Sequence, residues 1–135
     1  NKGCRFVPHV LAAKPGSTLE VTSQDPTLHT THAYTAERKS VFNIALPIQG
    51  MTIKRQVEGG LLRLECDTHP WMRGYVYVTE DRSVVTAPDG SFELPGVPPG
   101  SYDVVVWHEG AQGAPQKVVV GAGQAAEANF TLARR

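Results

Sequence analysis

Apolar and polar positions alternate along this chain in short runs, with a period of two residues rather than the 3.6 of a helix. Thr18-Leu19-Glu20-Val21-Thr22 alternates as a half-buried strand does, behind a turn at Pro15-Gly16. Val41-Phe42-Asn43-Ile44-Ala45-Leu46 repeats the pattern and stops at Pro47. Met51-Thr52-Ile53-Lys54-Arg55-Gln56-Val57 does so again and ends at Gly59-Gly60. Leu61-Leu62-Arg63-Leu64-Glu65-Cys66 follows. Gly74-Tyr75-Val76-Tyr77-Val78, β-branched and aromatic, reads as a buried strand. Helical signals are weak, and Ala-containing stretches such as Leu11-Ala12-Ala13 are cut short by Pro15-Gly16.

Beyond Val78 the texture changes. Turns at Pro88-Asp89-Gly90 and Pro98-Pro99-Gly100 precede the runs Ser91-Phe92-Glu93-Leu94 and Tyr102-Asp103-Val104-Val105-Val106-Trp107. Lys117-Val118-Val119-Val120 and Ala128-Asn129-Phe130-Thr131-Leu132 complete the series. Turn signals spaced about 8–12 residues apart are the pattern of a β-sandwich, so an all-β fold is expected. The composition shift near Asp81-Arg82-Ser83 divides the chain into 1–80 and 81–135. It lacks the long Gly/Ser or Pro run of a flexible linker.

Composition then narrows the function. The 135 residues suit one domain, or two small ones sharing a core. Thirteen basic residues balance 13 acidic ones for a net charge of +0, which argues against nucleic acid or anionic lipid as partner. No run approaches the ~20 apolar residues of a membrane-spanning helix. The chain opens at Asn1 without the charged and apolar regions of a targeting segment, so either such a segment has been removed or the chain is trimmed. Cys4 and Cys66 are too few for a disulfide framework, although a single bridge between them is open.

Cys66 has a better use. Cys66-Asp67-Thr68-His69-Pro70-Trp71-Met72 places a thiol, an imidazole and a thioether in one turn-like loop. Soft and borderline ligands of this kind suit copper, and a His₂Cys set with a weak axial Met describes a blue-copper electron-transfer site. The second imidazole can come from Asp25-Pro26-Thr27-Leu28-His29-Thr30-Thr31-His32, which a sandwich can bring to the same end. Zinc is the weaker reading, because it rarely takes a thioether.

These motifs resemble the cupredoxins, particularly their amicyanin, pseudoazurin and plastocyanin branch. Phe6-Val7-Pro8 and Lys14-Pro15-Gly16-Ser17-Thr18-Leu19-Glu20-Val21 are similar to the family's opening strands. Leu28-His29-Thr30-Thr31-His32 is similar to its Pro-His-Asn-Val-His segment. Cys66 to Val78 is similar to Cys-x-x-His-Pro-x-Met-x-Gly-x-Val-x-Val, the most specific of the three. The resemblance covers about residues 4–80. It implies His29, Cys66, His69 and Met72 as copper ligands and places His32 at a non-ligand position. It puts Cys4 on the strand entering the copper end. Thr30 stands where the family usually has an Asn that ties the two ligand loops together.

A second resemblance covers the remainder. Thr86-Ala87-Pro88-Asp89-Gly90-Ser91-Phe92-Glu93-Leu94 and Gly96-Val97-Pro98-Pro99-Gly100-Ser101-Tyr102 are similar to the carboxypeptidase-regulatory, transthyretin-like β-sandwich. Its opening strands are missing, so Gly74–Val78 or a neighbour is expected to serve both sheets. This resemblance implies a binding or structural accessory, not catalysis.

The expected function is therefore a periplasmic or secreted mononuclear copper protein that shuttles single electrons and is not an enzyme. Trp71, beside His69, is expected in an apolar patch where a redox protein partner docks briefly through a small interface. Two rivals stand beside this reading. One is a Cu(I) carrier or sensor that uses Cys4 as an extra ligand. The other is a metal-free adhesion or assembly module. Roles for His9 and His108, and membership of a larger complex, are left open by the residues.

Overall fold

The computed structural model describes residues 1–135 and folds them as two compact units, 1–93 and 94–135. The first unit holds β1 (Val10–Ala13), β2 (Thr18–Thr22), β3 (His29–Tyr34), β4 (Ser40–Leu46), β5 (Thr52–Gln56), β6 (Gly60–Glu65) and β7 (Arg73–Val78). The second holds β8 (Gly100–Val104), β9 (Ala111–Gln112), β10 (Gln116–Val120) and β11 (Ala133–Arg134). No segment is helical, and the fold is all-β, as the alternation predicts.

In the first unit a five-stranded sheet runs in the order β1-β7-β6-β3-β4, and β2 pairs with β5 in a separate ladder. β1 lies parallel to β7; the remaining pairs are antiparallel. Period-two alternation sets the inner face. On β3, His29, Thr31 and Ala33 are buried while their neighbours are half-exposed. On β6, Leu62 and Leu64 point inward, and Cys66 continues that parity one step past the strand. They pack with Phe6, Val57, Met72, Val76 and Val78. Val21, Ile44 and Leu46 form a second cluster, with Leu19 and Phe42 packed against both. The apolar face of the β2–β5 pair thus covers the five-stranded sheet, which makes a sandwich.

Two pairings build the site. β3 runs antiparallel to β6 with His32 opposite Glu65, so the start of β3 sits beside the end of β6. The β6–β7 hairpin closes at Glu65 opposite Arg73, which leaves residues 66–72 as its connecting loop. Gly74 follows directly. A Cβ there would lie 3.0 Å from Phe6 Cβ, so a side chain at this position would press on the N-terminal segment where it passes β7.

The structure departs from the sequence pattern in several places. Leu11-Ala12-Ala13 forms β1 because β7 offers it a parallel ladder, with Leu11 opposite Val76. Pairing overrides weak propensity there. Ser91–Leu94 is not a strand: the Asp89 carboxylate takes the Ser91 N–H at 2.9 Å and its hydroxyl at 2.6 Å, which keeps Ser91 in the turn. Residues 128–132 are not a strand either; the Asn129 carbonyl accepts from the Gln116 side chain instead of from a ladder. β8 stops at Val104, before Trp107. β7 does not serve two sheets, since β1 and β6 occupy both of its edges. In the second unit β8 pairs with β10 and β9 with β11.

Candidate metal centre

Cys66 stands at the inward end of β6, and its Sγ collects polar neighbours. The Thr30 N–H donates to it at 3.3 Å, and the Thr68 hydroxyl lies 3.1 Å away. His69 Nδ1 is at 3.5 Å and His29 Nδ1 at 3.9 Å. Burial alone would raise this thiol. The hydrogen bonds from Thr68, the Thr30 amide and His69 outweigh it and bring the thiol down to about 5. A sulfur held this way is a thiolate near neutral pH, the form that binds metal.

The loop makes its own geometry. The Met72 N–H donates to the His69 carbonyl at 3.0 Å, closing a turn over His69-Pro70-Trp71-Met72. Pro70 fits the second position of such a turn because its ring presets φ. The turn sends Met72 back into the core, 2% exposed and in the same buried cluster as Cys66. Thr30 replaces the expected Asn without loss of the tie between loops. Its hydroxyl accepts the Asp67 N–H at 2.7 Å, and the Thr68 hydroxyl oxygen lies 3.2 Å from the Leu28 carbonyl.

His29 and His69 approach Nδ1 to Nδ1 at 3.2 Å, with ring centroids 4.7 Å apart. His29, Cys66 and His69 form one group of converging ligand atoms. Separations of 3.2, 3.5 and 3.9 Å among two nitrogens and a sulfur are those spanned by one ion bonded at about 2.0–2.3 Å. The chemistry of the donor set, thiolate and two imidazoles with a thioether packed behind, fits copper.

The other singled-out residues fall elsewhere. His32 lies on the opposite face of β3 from His29, as strand parity requires. It stacks on Tyr34 at 4.1 Å and bonds to Ser40 Oγ at 2.8 Å and Asp67 Oδ1 at 3.3 Å. His9 lies beside the Arg73 carbonyl at 3.1 Å and meets Tyr75 edge-on. His108 accepts the Gly110 N–H at 3.0 Å within its own turn. Both cysteines are free. Cys4 sits in a loop, not a strand, and its ligand atom groups with those of Asp25 and His29 rather than with Cys66 and His69. Trp71 is 64% exposed, edge-on to His69 at 5.0 Å, and its Nε1–H donates to the Cys4 carbonyl at 3.1 Å. Sequence reasoning missed Asp25, whose Oδ2 lies 2.7 Å from His29 Nε2. Its one signal was a carboxylate four residues before a candidate ligand histidine.

Comparison with known proteins bears on the fold. An amicyanin variant in its reduced state is 20% identical and superposes with a TM-score of 0.51, covering 58% of this chain and 77% of its own. A purple cupredoxin from Nitrosopumilus maritimus is 25% identical with a TM-score of 0.50, covering 58% of this chain and 86% of its own. No curated sequence relative matches the chain. Residues 70–133 match the carboxypeptidase regulatory-like domain family, a stretch that opens inside the loop at Pro70 and takes in β7. The chain therefore carries a cupredoxin fold, followed by and overlapping a segment similar to a carboxypeptidase regulatory-like domain.

Proposed function

We propose that this chain is a mononuclear copper protein that carries single electrons between redox partners. The convergence of His29 Nδ1, His69 Nδ1 and Cys66 Sγ carries the reading. In it, these three residues would hold copper, with Met72 as a further ligand. Bound copper supplies one-electron Cu(I)/Cu(II) chemistry. The chain's own residues do the rest. Thr30 N–H donates to the sulfur and withdraws charge from it, which helps set the potential. The two loop ties at Thr30 and Thr68 hold the ligands at fixed separations, so little rearrangement accompanies a change of charge. A ligand set completed by the protein leaves no open position for a substrate, in keeping with a carrier rather than an enzyme.

Electron entry is assigned to the His69 edge. Trp71 exposes its ring there, and Leu28, 44% exposed, precedes the buried His29. This apolar patch suits a brief encounter with a redox protein. The chain has no helix long and apolar enough to cross a membrane, and a periplasmic or extracellular place suits the exchange. The copper-binding part is assigned to 1–80, since its last strand ends at Val78 and no strand intervenes before Gly100. Residues 81–135 form the accessory module. The Cu(I) carrier reading with Cys4 in the copper site is the weaker one, because Cys4 groups away from Cys66 and His69.

The test is reconstitution with Cu(II). An intense visible thiolate-to-copper band is expected in the wild type and is lost in Cys66→Ser. A colourless product from the wild type defeats the reading.

A further inference from the structure

His29 presents its two nitrogens to different surroundings. Nδ1 faces Cys66 and His69, while Nε2 lies 2.7 Å from Asp25 Oδ2. The His29 side chain is fully buried and that of Asp25 nearly so, at 13% exposure. Asp25 is itself anchored. The Gly3 N–H donates to Oδ1 at 2.8 Å and the Cys4 N–H to Oδ2 at 2.9 Å. Gly3 and Cys4 both lie in the left-handed region, with φ of 62° and 53°, and aim consecutive N–H groups at one carboxylate. Such paired amides form a small anion-binding concavity.

Both Asp25 oxygens take backbone N–H donors, the setting of an ionised carboxylate, which only accepts hydrogen bonds. The nitrogen facing it must therefore carry the proton. That puts the hydrogen of neutral His29 on Nε2 and leaves the Nδ1 lone pair directed at the metal position. A negative charge on the far side of a ligand imidazole also strengthens it as a donor to a metal. It stabilises a dication more than a monocation at the same place, and burial leaves this effect poorly screened.

The geometry points to Asp25 as a positioning residue that fixes the metal-binding tautomer of His29 and lowers the reduction potential of the centre. The inference rests on the copper reading for its second half and is independent of it for the first. The Gly3–Cys4 segment is the mount. It holds Asp25 by two amides and receives the Trp71 Nε1–H on the Cys4 carbonyl, so one short segment braces both ligand loops.

Two measurements on the full chain decide it. The first compares copper-loaded wild type with Asp25→Asn, which keeps the shape and removes the charge. The charge-transfer band is expected to persist while the ratio of Cu(II) to Cu(I) affinity falls about tenfold, a rise in potential of about 59 mV for one electron. An unchanged potential with the band intact overturns the role in tuning. The second is nitrogen NMR of the metal-free wild type above the ordinary imidazole titration range. His29 is expected as the Nε2–H tautomer, and an Nδ1–H tautomer overturns the positioning role. This measurement needs no variant, so it stands if Asp25→Asn fails to fold. A wild type that folds with the Nε2–H tautomer but gives no copper band removes the copper reading and leaves the Asp25–His29 pairing supported.

Discussion

Thr31 sits between His29 and Ala33 on the inner face of β3, fully buried, with no hydrogen-bond partner for its hydroxyl. A buried hydroxyl left unpaired costs about 1–3 kcal/mol by mutational measure. Replacing it with the same-shaped apolar group removes that cost. Thr31→Val is therefore expected to stabilise the protein by about 1 kcal/mol, read as a higher denaturant midpoint at unchanged slope. A lower midpoint would show that the hydroxyl has a partner. The neighbouring residues show what is legible at this scale. Cys66, His69 and Met72 could be read from sequence because one loop carries all three at fixed spacing. His29 was read from the family resemblance, and in the structure it, not His32, joins the converging group, since residues three apart on a strand face opposite sides and His29 is on the inner one. Asp25 was out of reach, because its role depends on amides of Gly3 and Cys4 more than 20 positions earlier. Thr30 shows the limit of reading by residue type: a shorter side chain than Asn still reaches the Asp67 amide.

Between strands, partnership decides more than composition. β2, β4 and β5 were legible because each alternates between polar and apolar residues, and β6, β7 and β10 because each carries a short apolar run. β1 and β3 were not, one being Ala-rich and the other mostly polar. Both are strands because β7, β4 and β6 supply ladders. Ser91–Leu94 has the right texture and no ladder, and it remains irregular. The same dependence predicts where substitutions hurt. Leu46 lies opposite His29 in the β3–β4 register and is fully buried in the second core cluster. Leu46→Ala is expected to cost about 2–5 kcal/mol, through lost burial and the cavity left behind. Val119→Ala on β10, at 72% exposure, is expected to stay within about 0.5 kcal/mol. Urea titration of the two variants makes the comparison. Equal losses would mean that β4 does not hold the interior together.

At the scale of the molecule, burial is unevenly shared. Every buried core residue lies at or before Val78, and no residue from 94 to 135 is fully buried. Separation can only expose the second unit further. Its family match begins at Pro70, so a module excised at 94 lacks β7, which the first unit pairs on both edges. A short stretch without a core, disulfide or metal of its own falls below the size at which a chain folds alone. The first unit has the opposite balance. His29, Cys66, His69, Met72 and the groups that bond them, Asp25, Thr30, Thr68, Gly3 and Cys4, all lie within 1–93. A chain of 1–93 alone is therefore expected to unfold cooperatively and to keep the copper band and potential of the full protein. The peptide 94–135 is expected to show no cooperative transition and little chemical-shift dispersion. Loss of the band in 1–93 would mean that residues 94–135 support the candidate metal centre, and the two units would then have to be treated as one folding body.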